Sequence, residues 1–169
     1  MRPHNITVFQ VDASTSDHED EAVEQFSEQI DSTTAKSPMK DMLLAQGDWN
    51  ATVGLGTQQQ WAGTGGSLGI GETNDRGWRF IEFAKSNRLI LTNTLYPNKL
   101  SWTATWHAPI GQVHNQIYFI LTPQRLKFNV SKTNARSIPG ADIGSDYDLV
   151  PTAIKLKLIT EHFTKCRRI

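Results

Sequence analysis

Met42-Leu43-Leu44-Ala45-Gln46-Gly47-Asp48-Trp49-Asn50-Ala51 is the stretch from which the rest of the chain is read. A short apolar run reaches a glycine, and two polar residues follow, two positions apart. Side chains of an extended chain alternate between faces, so Asp48 and Asn50 share one face and Trp49 points the other way, into whatever packs beneath. A carboxylate beside a carboxamide at the end of a buried strand can hold a water and a phosphoryl oxygen together. Asp48 would take the proton from the water and Asn50 would donate hydrogen bonds to the oxygen. The same letters also fit a plain strand end that uses Gly-Asp-x-Asn to turn.

Upstream, Asn5 to Val11 alternates Ile6, Val8 and Val11 with polar residues and reads as a strand. Ser16 with Glu19 forms a capping-box pattern, and Ala22, Val23, Phe26 and Ile30 recur at helical spacing, which predicts a helix from about Asp17 to Thr34 that Pro38 stops. Asp41 to Gln46 is the buried strand. Ala51 to Thr73 holds seven glycines without the lysine-serine/threonine ending of a phosphate-cradling loop, and reads as a long surface connection. Asn74 can cap a second helix with Trp78, Phe80, Ile81, Phe83 and Ala84 on its apolar face. Leu89 to Leu91 is a short strand. Trp102 to Trp106 and Val113 to Leu121 read as a hairpin, Thr122 to Gly144 as polar and irregular, and Leu149 to Ile159 as a last strand weakened by Pro151. The order β-α-β-α-β-β-β-β predicts a mixed α/β (α+β) sandwich with helices outside.

The 169 residues suit one domain, with a core over about 5–160 and a short basic tail at 161–169. Lysine plus arginine (17) balance aspartate plus glutamate (17), so any nucleic-acid contact must come from a local patch such as Lys127, Lys132 and Arg136. Those three also fit an ordinary solvated surface. A lone cysteine, Cys166, leaves no disulfide framework and no thiolate metal site. There is neither a secretory leader nor an apolar run of roughly 18 residues. The expectation is an intracellular protein, nuclear or cytoplasmic, not secreted and not membrane-bound.

Four stretches, taken in order, carry a resemblance: Gly47-Asp48-Trp49-Asn50, Thr105-Trp106, Asn115-Gln116-Ile117-Tyr118-Phe119-Ile120-Leu121, and Ser145-Asp146-Tyr147-Asp148-Leu149-Val150. They resemble the GD[FW]N, TW, I-D-[FY]-I-L and S-D-H-x-L-V patterns of the endonuclease/exonuclease/phosphatase superfamily. The Asn-Gln-Ile wording favours the endonuclease domain of RTE/BovB-type LINE retrotransposons over the phosphatase and phospholipase branches. The resemblance spans nearly the whole chain. It implies a four-layer α/β sandwich, a magnesium ion, DNA as partner, and hydrolysis of phosphodiesters by water, with the metal and a histidine stabilising the developing charge. On this pattern Asp48 falls on the water-activating aspartate, Asn50 on the phosphate-binding asparagine and Asp146 on a metal-site aspartate, while Trp106 supports the site floor.

Three positions depart from the pattern. Tyr147 stands where the family has its histidine, Tyr118 where it has the aspartate that fixes that histidine, and Asp12 where it has a tyrosine. A phenol titrates near pH ~10 against about 6.5 for imidazole, so Tyr147 offers a neutral donor but no imidazolium. Losing one such group costs roughly 10²–10⁴ in rate. The family's opening strands, with a metal-site asparagine and the main metal-binding glutamate, would precede Met1. The expected domain is therefore N-terminally truncated, a poor magnesium binder through Asp146 alone, with an exposed sheet edge open to self-association. The favoured reading is a degenerate, inactive relative of a metal-dependent DNA endonuclease. The alternatives are a non-catalytic nucleic-acid- or protein-binding module, a weakly active endonuclease, and a translated retroelement fragment without a role.

Overall fold

The computed structural model describes residues 5–13, 20–56, 61–108, 114–130, 136–138 and 147–155. Its centre is a mixed four-stranded sheet in the order β1-β2-β6-β3. β1 (Ile6–Asp12) runs parallel to β2 (Met42–Asp48), and β6 (Tyr118–Pro123) lies antiparallel to both β2 and β3 (Leu89–Leu91). A separate ribbon pairs β4 (Trp106–His107) with β5 (His114–Asn115). Helix α1 (Asp20–Ala35) links β1 to β2 and helix α2 (Asp75–Ser86) precedes β3. The expected α/β character and the first two helix and strand pairs hold. β2 runs two residues further than its apolar letters suggested, so that Asp48 ends the strand itself. The expected capping box at Ser16 and Glu19 lies outside the described residues.

Alternation decides which side of the sheet is core. Val11, Leu43, Ala45, Phe119, Leu121, Leu89 and Leu91 form one buried cluster with Phe80, Ile81 and Ala84 of α2, and Phe26 and Ile30 of α1 pack against it. Each fully buried valine, leucine, isoleucine or phenylalanine among them contributes about 1.5–3 kcal/mol. Trp49, sent to this side by the turn after β2, stacks on Phe80 (centroids 4.4 Å) and Phe83 (5.6 Å) and donates its indole N–H to Phe119 O at 3.3 Å. The opposite side of the sheet carries Gln10, Asp12, Gln46, Asp48, Tyr118 and Ile120 in register.

α2 starts where the sequence places it. Asn74 is extended (φ −84°), its side-chain oxygen accepts from Gly77 N at 2.7 Å, and Asp75 and Lys85 lie in the first and last turns, where the helix dipole favours their charges. The glycine-rich connection departs from the expected surface loop. Val53 and Thr64 are buried, Thr64 O accepts from Leu91 N at 2.9 Å, and Gly66 N donates to the Thr94 hydroxyl at 2.7 Å. Trp61 faces Trp78 across 6.4 Å. The glycines let backbone pack on backbone, so this segment is part of the core's wall rather than an excursion.

Two expected strands are corrected. The reading of Val113 to Leu121 as one hairpin strand becomes two strands in two sheets, with a break at Gln116-Ile117. Thr105 causes it. Its hydroxyl is fully buried and accepts from Ile117 N (3.0 Å) and Tyr118 N (3.1 Å), replacing the ladder bonds lost at the kink. Its main-chain N–H donates to Asn115 O (2.9 Å), and its carbonyl accepts from Asp148 N (3.0 Å). The last strand expected over Leu149 to Ile159 reduces, within its described part, to isolated bridges of Ile138 with Leu149 and of Val130 with Ile154. Pro151 between them has no N–H to offer a ladder. Residues 156–159 lie outside the described part. Within the stretch expected to be irregular, Gln124–Asn129 winds into a 3₁₀ turn.

Replacing Thr105 by valine keeps the shape and strands two buried N–H groups. We expect Thr105→Val to lower unfolding stability by about 2–4 kcal/mol, seen as a lower urea midpoint at unchanged slope.

Candidate active site

Three strands end side by side. Asp12 of β1 is the register partner of Asp48, and Asp48 is the partner of Tyr118 across β2 and β6. Gly47 makes the first approach possible. Its φ is +138°, and a Cβ there would overlap the carbonyl oxygen of Val11. Glycine alone lets β1 close on β2 at this point, bringing the Asp12 and Asp48 backbones into line.

Asp48 is buried, and its Oδ1 accepts from Asn50 N at 2.8 Å. Asn50 sits in the left-handed region (φ 45°), which asparagine tolerates, and its amide donates to Ala13 O at 2.5 Å. Ala13 N in turn donates to Asp48 O at 2.8 Å. The Gly-Asp-x-Asn stretch is therefore a working turn that clamps the end of β1 to the end of β2. That is the plainer of the two readings of these letters, and it engages one amide N–H of Asn50. Burial raises the Asp48 pKa above the ordinary carboxylate value, the Asn50 N–H opposes that, and the nearby Asp12 adds to the rise.

Tyr118 and Tyr147 meet edge to face, with ring centroids 5.4 Å apart and planes at 65°. Burial first, then the carboxylate of Asp48, then Tyr147 and Asp12, push the Tyr118 phenol up to about 12. It is a neutral hydroxyl at any physiological pH. Tyr147 is held by its bridge to Trp106, which is half-buried on this ribbon rather than in the sheet's core. Beside the tyrosine pair opens a cavity of about 350 Å³ lined by Gln10, Gln46, Gly47, Tyr118, Tyr147 and Asp148, among others. The structure thus gathers Asp48, Asn50, Tyr118 and Tyr147 at one end of the sheet. Asp146, the expected metal ligand, lies outside the described residues.

Among the described residues, no group of three or more His, Cys, Asp or Glu is placed to hold a metal. Asp12 and Asp48 are two carboxylates at adjacent strand ends, one already bonded to a backbone N–H. They do not make the six-oxygen shell magnesium takes.

The sequence reading passed over a second polar cluster. His107 Nε2 and Asp148 Oδ2 are 2.8 Å apart, Ser137 Oγ donates to the same carboxylate oxygen at 2.7 Å, and His107 Nδ1 faces His114 Nδ1 at 2.7 Å. The available signal was two histidines flanking one presumed hairpin turn, a weak hint while the hairpin's register was unknown.

The alkaline limb of stability tests the tyrosine geometry. A phenol whose folded pKa exceeds its unfolded value of about 10 contributes stability below that pH and loses it as pH rises toward about 12. We expect wild-type stability to fall across that window and Tyr118→Phe to remove part of the fall, measured as urea midpoints at stepped pH.

Comparison with known proteins places the fold. No family model matches the chain. It is 40% identical over 157 residues to craniofacial development protein 2 of Bos taurus, and 38% identical over 157 residues to that of Tragulus javanicus. Each match covers 93% of this chain but 26% of the relative, so the chain spans about a quarter of those proteins. Among solved structures, the endonuclease domain of TRAS1, a telomere-specific non-LTR retrotransposon, superposes with a TM-score of 0.59 at 16% identity, covering 90% of this chain and 58% of that one. The chain is thus a homologue of part of craniofacial development protein 2, built on the fold of a retrotransposon endonuclease domain.

Proposed function

We propose that this chain is a catalytically silent form of a metal-dependent DNA endonuclease derived from a LINE retrotransposon. The observation that carries the reading is the tyrosine pair. Tyr118 and Tyr147 stack edge to face at the two positions where the superfamily pattern has an aspartate and the histidine it orients. Two neutral phenols can donate and accept single hydrogen bonds. They cannot present a cationic imidazolium to a developing phosphorane or leaving alkoxide, a contribution worth roughly 10²–10⁴ in rate. On this reading magnesium and a DNA substrate belong to the ancestor, and a nuclear or cytoplasmic location follows from it.

A plasmid-nicking assay in magnesium decides this. We expect no conversion of supercoiled to open-circle DNA above a buffer control. Nicking that Asp48→Ala abolishes would establish hydrolysis by this chain and sink the proposal.

A binding role has one observation of its own. Two cations lie over the ring of Trp102, the Arg136 guanidinium at 4.1 Å and the Lys99 ammonium at 5.2 Å from its centroid. Lys127 rests over the exposed ring of Phe128 at 5.1 Å. Lys132, the third of the expected basic set, lies outside the described residues. Cations gathered on aromatic rings can neutralise the phosphates of a strand laid beside them. In a gel shift with single-stranded DNA we expect retardation at low salt that fades as salt rises, and a several-fold weaker shift for Arg136→Ala. No shift at low salt removes this role. Among the described residues no helix is long and apolar enough to cross a membrane. Self-association has only the marginal position of β1, with Ile6 and Val8 half exposed on it, in its favour.

A further inference from the structure

We infer that His107 and His114 form a binding site for a borderline divalent transition ion, zinc or copper(II), with Asp148 as the carboxylate that orients it. The two histidines are register partners on β4 and β5. Their rings stand nearly perpendicular, at 74° with centroids 4.8 Å apart, and their Nδ1 atoms face each other at 2.7 Å. At that separation the two nitrogens share one hydrogen-bond line, so a ring must turn before both lone pairs can meet a single ion. In the metal-free chain a single proton bridges them.

The far side of His107 fixes which nitrogen is free. Its Nε2 lies 2.8 Å from Asp148 Oδ2, so the proton of the neutral ring sits on Nε2 and Nδ1 keeps its lone pair. Asp148 is itself anchored: its carboxylate accepts from Ser137 Oγ (2.7 Å), and its backbone N–H is held by Thr105 O (3.0 Å). The Asp148 side chain is 11% exposed, whereas His107 is 36% exposed and His114 is open to solvent. A largely covered carboxylate, an oriented imidazole and an open coordination face make the carboxylate–histidine–metal arrangement, in which the outer carboxylate sets the tautomer and raises ligand basicity.

The chemistry selects the ion. Imidazole suits zinc, copper and nickel, and magnesium takes oxygen ligands. With metal–nitrogen bonds of about 2.0–2.1 Å, two ligands on one ion stand roughly 2.9–3.4 Å apart, so the rings must swing off their shared line and part by roughly half an ångström; the exposed His114 is the ring that turns. Water completes the shell on the exposed side. The proton balance is simple: the bridging proton leaves His114 Nδ1, and Nε2 of the same ring takes one from solvent. Both rings stay neutral, and no net charge is lost. A protonated ring has no lone pair, so acidification weakens binding.

The two histidines lie on the β4–β5 ribbon rather than on the strands that carry Asp48 and Tyr118, while Asp148 also lines the cavity beside the tyrosine pair. Trp106 and His107 are successive residues of one strand and face opposite ways, and Trp106 is the one bridged to Tyr147. Zinc binding is read out independently of any nicking activity.

Isothermal titration of the full chain with zinc chloride tests it. We expect one equivalent to bind, His107→Ala and His114→Ala each to weaken binding at least tenfold, and Asp148→Asn to weaken it about 10–100-fold. Nitrogen-15 shifts of the two rings should place the ion on both Nδ1 atoms. His114 is exposed, so its variant keeps the fold, which circular dichroism checks. Absence of zinc binding by the wild type, or unchanged affinity in His114→Ala, would overturn the site.

Discussion

Four hydrogen bonds meet at Thr105, and the working end of the molecule depends on them. Its main chain joins Asn115 to Asp148, and its hydroxyl satisfies the two N–H groups of Ile117 and Tyr118 that the kink between β5 and β6 would otherwise leave bare. The kink allows one run of chain to serve two sheets. It delivers Tyr118 beside Asp48 in the large sheet and leaves His114 opposite His107 in the small ribbon. The bond to Asp148 then brings the segment after residue 146 down onto the same place, so that Tyr147 meets Tyr118. A buried hydroxyl with both acceptor directions used is costly to replace, because any apolar substitute leaves unpaired donors behind.

At the strand ends, the turn and the chemistry use the same atoms. Asp48 closes the turn through Asn50 N, Asn50 ties down Ala13, and Gly47 admits the Val11 carbonyl. Around this turn stand a second carboxylate, Asp12, and two phenols, Tyr118 and Tyr147. The turn itself holds the ends of β1 and β2 together.

Much of this was legible in the letters. The alternation before Gly47 fixed the inward face of Trp49, the 3.6-residue spacing located both helices, and Asn74 marked its cap, because these are local rules acting on neighbouring residues. What escaped was non-local. Nothing in Val113 to Leu121 says that its two halves join different sheets, since the reason lies in a threonine 12 and 13 positions before the N–H groups it holds. The burial of the glycine-rich segment likewise depends on partners at Leu91 and Thr94. The Asp148–His107–His114 chain was invisible because a carboxylate and an imidazole 41 residues apart become neighbours only through the fold.

The contact between Tyr118 and Tyr147 also ties the two positions together. Its rings support each other, so either one altered alone meets a mismatched neighbour. An aspartate at 118 would add a third carboxylate to Asp12 and Asp48. A histidine at 147 would face a phenol instead of an orienting acid. The two positions thus form one unit, and the effect of a change at either depends on what stands at the other.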